Sequence, residues 1–138
     1  MSFRLLLDTD VLSAVMRRHP LAVDRARGYL AEYGRFSLSV ITQYEILRGL
    51  KAKGAEKQQA VFSLFCDRNE LLPVTDDAAA KAADIYADLS ARGALISDAD
   101  ILIAATALVH GLGVVTNNED HFSWVRGLRL ENWLRITR

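Results

Sequence analysis

The side chains of this sequence best suited to chemistry are the carboxylates of Asp8, Glu45 and Asp100. A further acid stands at Asp98, and Thr116, Asn117, Asn118 and Asp120 form a polar run near the C-terminus. All of them offer oxygen. Carboxylates drawn within a few ångströms repel one another, so ionising them together requires a cation. An oxygen-only donor set favours hard ions, Mg²⁺ or Mn²⁺. Such an ion orients a phosphate ester, lowers the pKa of an attacking water and stabilises the leaving oxygen. Metal-assisted hydrolysis of a phosphate ester is therefore the chemistry to test.

Each residue also has a plainer explanation. Ser97 with Asp100, and Thr42 with Glu45, match the capping box that satisfies the first N–H groups of a helix. Asp8 follows an apolar run directly and has fewer local reasons to be there. Asp98 fits a turn as well as a supporting acid, and Asp120 and His121 fit a solvated loop. The arrangement carries more weight than any single member.

The elements that must position these acids can be read from periodicity and caps. Phe3 to Leu7 suits a buried strand feeding a turn at Asp8-Thr9-Asp10. A helix over Val11 to Arg18 follows, with Asp10 as its cap, and then a second over Leu21 to Tyr33. Phe36 to Val40 alternates as a strand. The Thr42 box opens a helix towards Gly54, and another helix covers Glu56 to Cys66. Glu70 to Val74 reads as a strand, and Asp76-Asp77 opens a long helix to about Arg92. From Ile101 to Val109 Thr106 is the sole polar side chain, and a helix apolar nearly all round lies inside its domain. Val114 to Thr116 and Leu128 to Leu130 complete the strands. Short strands alternating with helices indicate an α/β domain with a mostly parallel sheet. In such sheets ligands bind beyond the carboxyl ends of the strands, where the acids fall.

Bulk properties agree. One domain over residues 1–138 is long enough to bury a core, and 51% hydrophobic with 25% charged residues is ordinary globular composition. Seventeen basic and seventeen acidic residues cancel, so any surface for nucleic acid must be local. Cys66 is alone, which excludes an intrachain disulfide and suits a reducing compartment. The apolar start is too short for a signal peptide and the run from Ile101 too short for a membrane span. The expectation is a cytoplasmic protein with no membrane contact.

Four stretches, in order, resemble a known family. Leu6-Leu7-Asp8-Thr9-Asp10-Val11-Leu12 is similar to the opening motif of PIN-domain ribonucleases of the VapC toxin type. Ser39 to Gly49 is similar to their second motif, and Asp98 to Ala107 to their third. Val115-Thr116-Asn117-Asn118 with Val125 to Trp133 resembles their C-terminal section. The resemblance implies a three-layer α/β/α PIN-like domain and a metal-dependent endoribonuclease leaving 5′-phosphate and 3′-hydroxyl ends. It also implies a homodimer, inhibited by a cognate antitoxin protein, acting on RNA such as tRNA. Carried over, Asp8 and Asp100 are ligands of Mg²⁺ or Mn²⁺, and Glu45 is the third acid, binding metal or positioning water. Asp98, Thr116, Asn117, Asn118 and Asp120 support them. Two departures stand out: Asp10 where the family often has Asn, and Asn118 where many members carry a fourth Asp.

Other readings remain open. Asp8-Thr9-Asp10 is also similar to the opening of haloacid-dehalogenase-type phosphatases, which use the first Asp as a nucleophile. That class also uses a Lys after a later strand, and Leu72 to Asp76 offers none. A binding module whose acids act as caps is the third reading. For RNA contact the candidates are Arg17, Arg18, Arg48, Lys51, Lys53, Arg126 and Arg129. For protein partners they are the apolar side chains of Ile46, Leu47, Leu50, Val61, Phe62 and Phe65.

Overall fold

The computed structural model describes residues 3–136. Among them are five strands: β1 (Leu5–Leu7), β2 (Ser37–Ser39), β3 (Glu70–Leu72), β4 (Gly113–Val115) and β5 (Leu130–Glu131). The helices are α1 (Thr9–Met16), α2 (Pro20–Tyr33), α3 (Val40–Ala52), α4 (Glu56–Arg68), α5 (Asp76–Ala91), α6 (Asp98–Val109) and α7 (Glu119–Phe122). The strands form one sheet in the order β3-β2-β1-β4-β5, and every pair is parallel. The sequence predicts a mostly parallel sheet; the described strands are parallel throughout.

β1 is the central strand, and its three leucines show why. Leu6 packs with Ile103, Val114 and Leu89 on one face, while Leu5 and Leu7 pack with Leu12, Phe62 and Trp133 on the other. A strand covered on both faces needs an apolar side chain at every position, and Leu-Leu-Leu supplies that. α5 and α6 pack together on the Leu6 side, and α1, α2 and α4 lie on the other. α6 is enclosed over most of its length, with Ile103, Ala104, Ala105, Thr106 and Ala107 buried completely, while Val109 at its end is exposed.

Three helix starts differ from the sequence reading. α1 begins at Thr9, capped by Asp8, whose carboxylate accepts from Thr9 N; Asp10 is the second helical residue rather than the cap. α3 begins at Val40, capped by Ser39, whose hydroxyl accepts from Thr42 N. Thr42 and Glu45 are therefore not a capping box, and Glu45 belongs to the second turn. Two hydroxyls three residues apart offered the same local signal, and the end of β2 selected the first. The residues around Asp120 and His121 form the short helix α7 rather than a loop.

The apolar residues proposed for partners are mostly core. Phe62 and Ile46 are buried, and Leu47, Leu50 and Phe65 pack against them. Val61 stands out at 63% exposure, joined one turn later by Leu64 at 55%. Among the described residues no helix is long and apolar enough to cross a membrane.

Candidate active site

The chain leaves β1 towards β2 on one side and β4 returns on the other, so the strand order reverses between β1 and β4. Such a switch point opens a crevice at the carboxyl ends of the two strands. Asp8 follows β1 there and Thr116 follows β4. Asp8 is 5% exposed. Thr116 Oγ1 donates to Asp8 Oδ2 at 2.7 Å, and Thr9 N donates to Oδ1 at 2.8 Å. Thr116 in turn accepts from Asn118 N at 2.9 Å, which shapes the loop after β4.

Two helices bring the other acids to this crevice. Glu45 on α3 accepts from Thr9 Oγ1 through Oε1 at 2.6 Å, and Thr42 Oγ1 lies 3.1 Å from the same Thr9 hydroxyl. Asp100 stands in the first turn of α6, where Ser97 caps the helix by accepting from Asp100 N at 3.2 Å. The cap uses the backbone of residue 100. Its carboxylate is left for other work, and Oδ2 accepts from Asn118 Nδ2 at 3.3 Å.

Asp10 is the residue the sequence reading missed. Its Oδ1 accepts from Val11 N at 2.7 Å, and its Oδ2 accepts from Asn117 N at 3.1 Å across the crevice. Its nearness to Asp8 along the chain was the available signal, disguised by its place before an apolar helix. Asn117 contributes through its backbone, while its side-chain oxygen accepts from Asn132 Nδ2 at 3.1 Å. Asp98 and Asp120 are exposed, and no hydrogen bond or ion pair joins either side chain to the acids.

The acids register one another electrically. Burial pushes the Asp8 carboxyl up to about 7, helped by the charges of Asp10 and Asp100. Burial also raises Asp10. Asp100 is raised by burial, with Glu45 and Asp10 adding repulsion while the Ser97 hydrogen bond and His121 pull the other way. Among the described residues the one Lys or Arg ion-paired with any of the four is Arg48, 3.9 Å from Glu45 Oε2. Oxygen donors under mutual repulsion fit a hard divalent cation. No three His, Cys, Asp or Glu of the described residues stand as a ready-made cage.

An open groove of about 530 Å³ between α1, α3 and α4 starts at Thr9 and Glu45 and reaches Arg17 and Lys53. Two of the candidate RNA-binding cations therefore line a channel to the acids. Others do not: Arg126 pairs with Asp88, and Arg129 lies over the Phe3 ring.

Comparison with known proteins agrees with this fold. Residues 5–128 match the PIN domain family. The chain is 36% identical over 130 residues to ribonuclease VapC2 of Haemophilus influenzae, covering 94% of this chain and 97% of that one. It is 33% identical over 131 residues to the tRNA(fMet)-specific endonuclease VapC of Shigella flexneri, covering 94% and 98%. The crystal structure of DNA-bound VapBC from Salmonella typhimurium superposes with a TM-score of 0.84 at 30% identity, covering 96% of this chain and 99% of that one. The chain belongs to the PIN-domain family, among its VapC ribonucleases.

Proposed function

We propose that this chain, acting as one nuclease unit over residues 1–138, is a Mg²⁺- or Mn²⁺-dependent endoribonuclease and the toxin of a toxin–antitoxin pair. The observation that carries this reading is the crevice itself. Asp8, Asp10, Glu45 and Asp100 face one another there, with Arg48 beside Glu45 and His121 beside Asp100 as the positive groups nearest them. Asp8 and Asp100 would hold the ion. When bound, it would polarise the scissile phosphate and ease deprotonation of water. Thr116 and Thr9 N orient Asp8, Asn118 orients Asp100, and Thr9 turns Glu45. Glu45 then positions the attacking water and takes its proton at Oε2, the oxygen that Thr9 leaves open.

The groove past Arg17 and Lys53 gives an RNA strand a path to the acids, and phosphate contacts there make affinity fall with salt. The name of the Shigella flexneri relative points to tRNA as the first substrate to try. The VapBC structure from Salmonella typhimurium supports an antitoxin partner for this chain too. A cytoplasmic homodimer completes the reading, with Leu64 on α4 as an exposed apolar side chain available to it. The phosphatase and binding-module readings have no comparable support.

The test is cleavage of tRNA by purified protein in Mn²⁺ and in EDTA, beside Asp8→Asn. Metal-dependent cuts with 5′-phosphate ends, lost in the variant, are expected. Cleavage indifferent to both EDTA and Asp8→Asn would overturn the reading.

A further inference from the structure

Asn118 occupies the loop after β4, in contact with Asp100, and the orientation of its amide decides what it can do. Its Nδ2 lies 3.3 Å from Asp100 Oδ2 and 3.0 Å from His121 Nδ1. An NH₂ group has two hydrogens and no acceptor, so one hydrogen serves each neighbour. Towards that NH₂ group His121 Nδ1 can only accept. Oδ1, the amide atom able to bind a cation, sits on the other side of Cγ from Asp100.

Left to itself, an amide beside one carboxylate can turn its second donor to water and swing freely. Here the second donor is engaged by a ring that has its own restraints. His121 belongs to α7, whose Phe122 is buried in the core, and its imidazole packs against the Trp124 indole at 6.1 Å between centroids. The chain of contacts therefore runs from a core-anchored helix through His121 and Asn118 to a reactive carboxylate.

We propose that His121 is a positioning residue: it fixes the Asn118 amide so that its NH₂ holds Asp100, and Asn118 serves as a donor to that carboxylate instead of a metal ligand. The proposal rests on the nuclease reading for its consequence and on the hydrogen bonds for its substance. Groups one step behind a metal ligand commonly change metal affinity or activity by about 10- to 100-fold, and His121 stands one step further back.

The test compares His121→Phe, which keeps a ring beside Trp124 but loses the acceptor, with His121→Asn, whose Oδ1 restores an acceptor at the same branch of the side chain. Mn²⁺ affinity is measured by calorimetry on RNA-free protein at pH 8. The Asn118 side-chain NH₂ signals are followed by NMR in metal-free protein. His121→Phe should weaken Mn²⁺ binding about tenfold, shift the Asn118 NH₂ signals, and lower kcat while leaving KM for RNA nearly unchanged. His121→Asn should recover most of each.

Equal losses in both variants would mean that the acceptor at this position is not what matters, and wild-type behaviour of His121→Phe would mean that the ring matters for packing alone or not at all; either overturns the proposal. If His121→Phe does not fold, His121→Ala against His121→Asn makes the same comparison. Absence of RNA cleavage by wild type would sink the nuclease reading alone. The Mn²⁺ and NMR comparisons would still decide this one.

Discussion

Thr9 and Glu45, thirty-six positions apart, share a 2.6 Å hydrogen bond that ties the first turn of α1 to the second turn of α3. One hydroxyl thereby orients an acid from a different element and closes one side of the crevice. Thr9→Val removes it at nearly constant volume. A hydrogen bond to a charged group contributes about 1.5–3 kcal/mol, so a partly buried one should cost about 1–2 kcal/mol in urea unfolding. RNA cleavage should fall with it, because Glu45 is then free to turn away. Unchanged stability and turnover in Thr9→Val would show that the bond orients nothing.

The acids make the metal-free fold sensitive to pH. Unfolded Asp8 ionises near its ordinary value of 3.8, while the folded residue keeps its proton up to about 7. Between those values the folded state binds more protons, so stability is full below about 4 and falls as pH rises towards 7. The raised values of Asp10 and Asp100 act in the same direction. Asp8→Asn, which keeps a good capping side chain on α1, should flatten this slope. Melting of both proteins in EDTA across pH 4 to 7.5 checks it, and parallel curves would remove Asp8 as the source.

Capping and charge at the start of α6 can be separated, because the cap is Ser97 and the charge is Asp100. Ser97→Ala should cost about 0.5–2 kcal/mol with or without metal. Asp100→Ala should be neutral or stabilising in EDTA near pH 7, where it relieves repulsion, and should lose most of the stabilisation that millimolar Mn²⁺ gives the wild type. Thermal melts of the three proteins in the two buffers provide the comparison. An intact metal response in Asp100→Ala would take Asp100 out of the metal site.

Gly113 reports on the opposite end of β4. A Cβ there would come within 2.4 Å of Phe3 Cε2 and 3.0 Å of the Arg129 carbonyl oxygen. The ring can move, but the carbonyl lies just before β5 and cannot follow easily. Gly113→Ala should therefore destabilise the protein by about 1–3 kcal/mol, the usual penalty for overpacking, with the acids undisturbed. Denaturant unfolding alongside a cleavage assay tests both halves.

Much of this architecture was legible because its signals are local. The leucines of β1 and the apolar α6 read as buried elements without reference to the rest of the chain, and Ser97 marked its helix correctly. The failures have a common physical origin. Asp10 looked like a cap since its real partner, Asn117 N, is 107 positions away, and Thr42 looked like a cap since nothing local distinguishes it from Ser39. The role of Thr9 was likewise hidden, because its bond to Glu45 exists only once α1 and α3 are packed. The acids could be named from their types and order; their orientation belongs to contacts that only the fold creates.

The pairing of β1 with β4, Leu5 opposite Gly113 through Leu7 opposite Val115, also sets a timetable. During translation Asp8 is made 108 positions before Thr116, and Thr116, Asn117 and Asn118 are the residues that hold Asp8, Asp10 and Asp100. Such long-range strand pairing is slow to form, since the intervening chain must be closed into a loop first. A nascent chain that has not yet reached β4 thus carries its acids ungathered. The crevice is completed only after β4 has been made and has found β1.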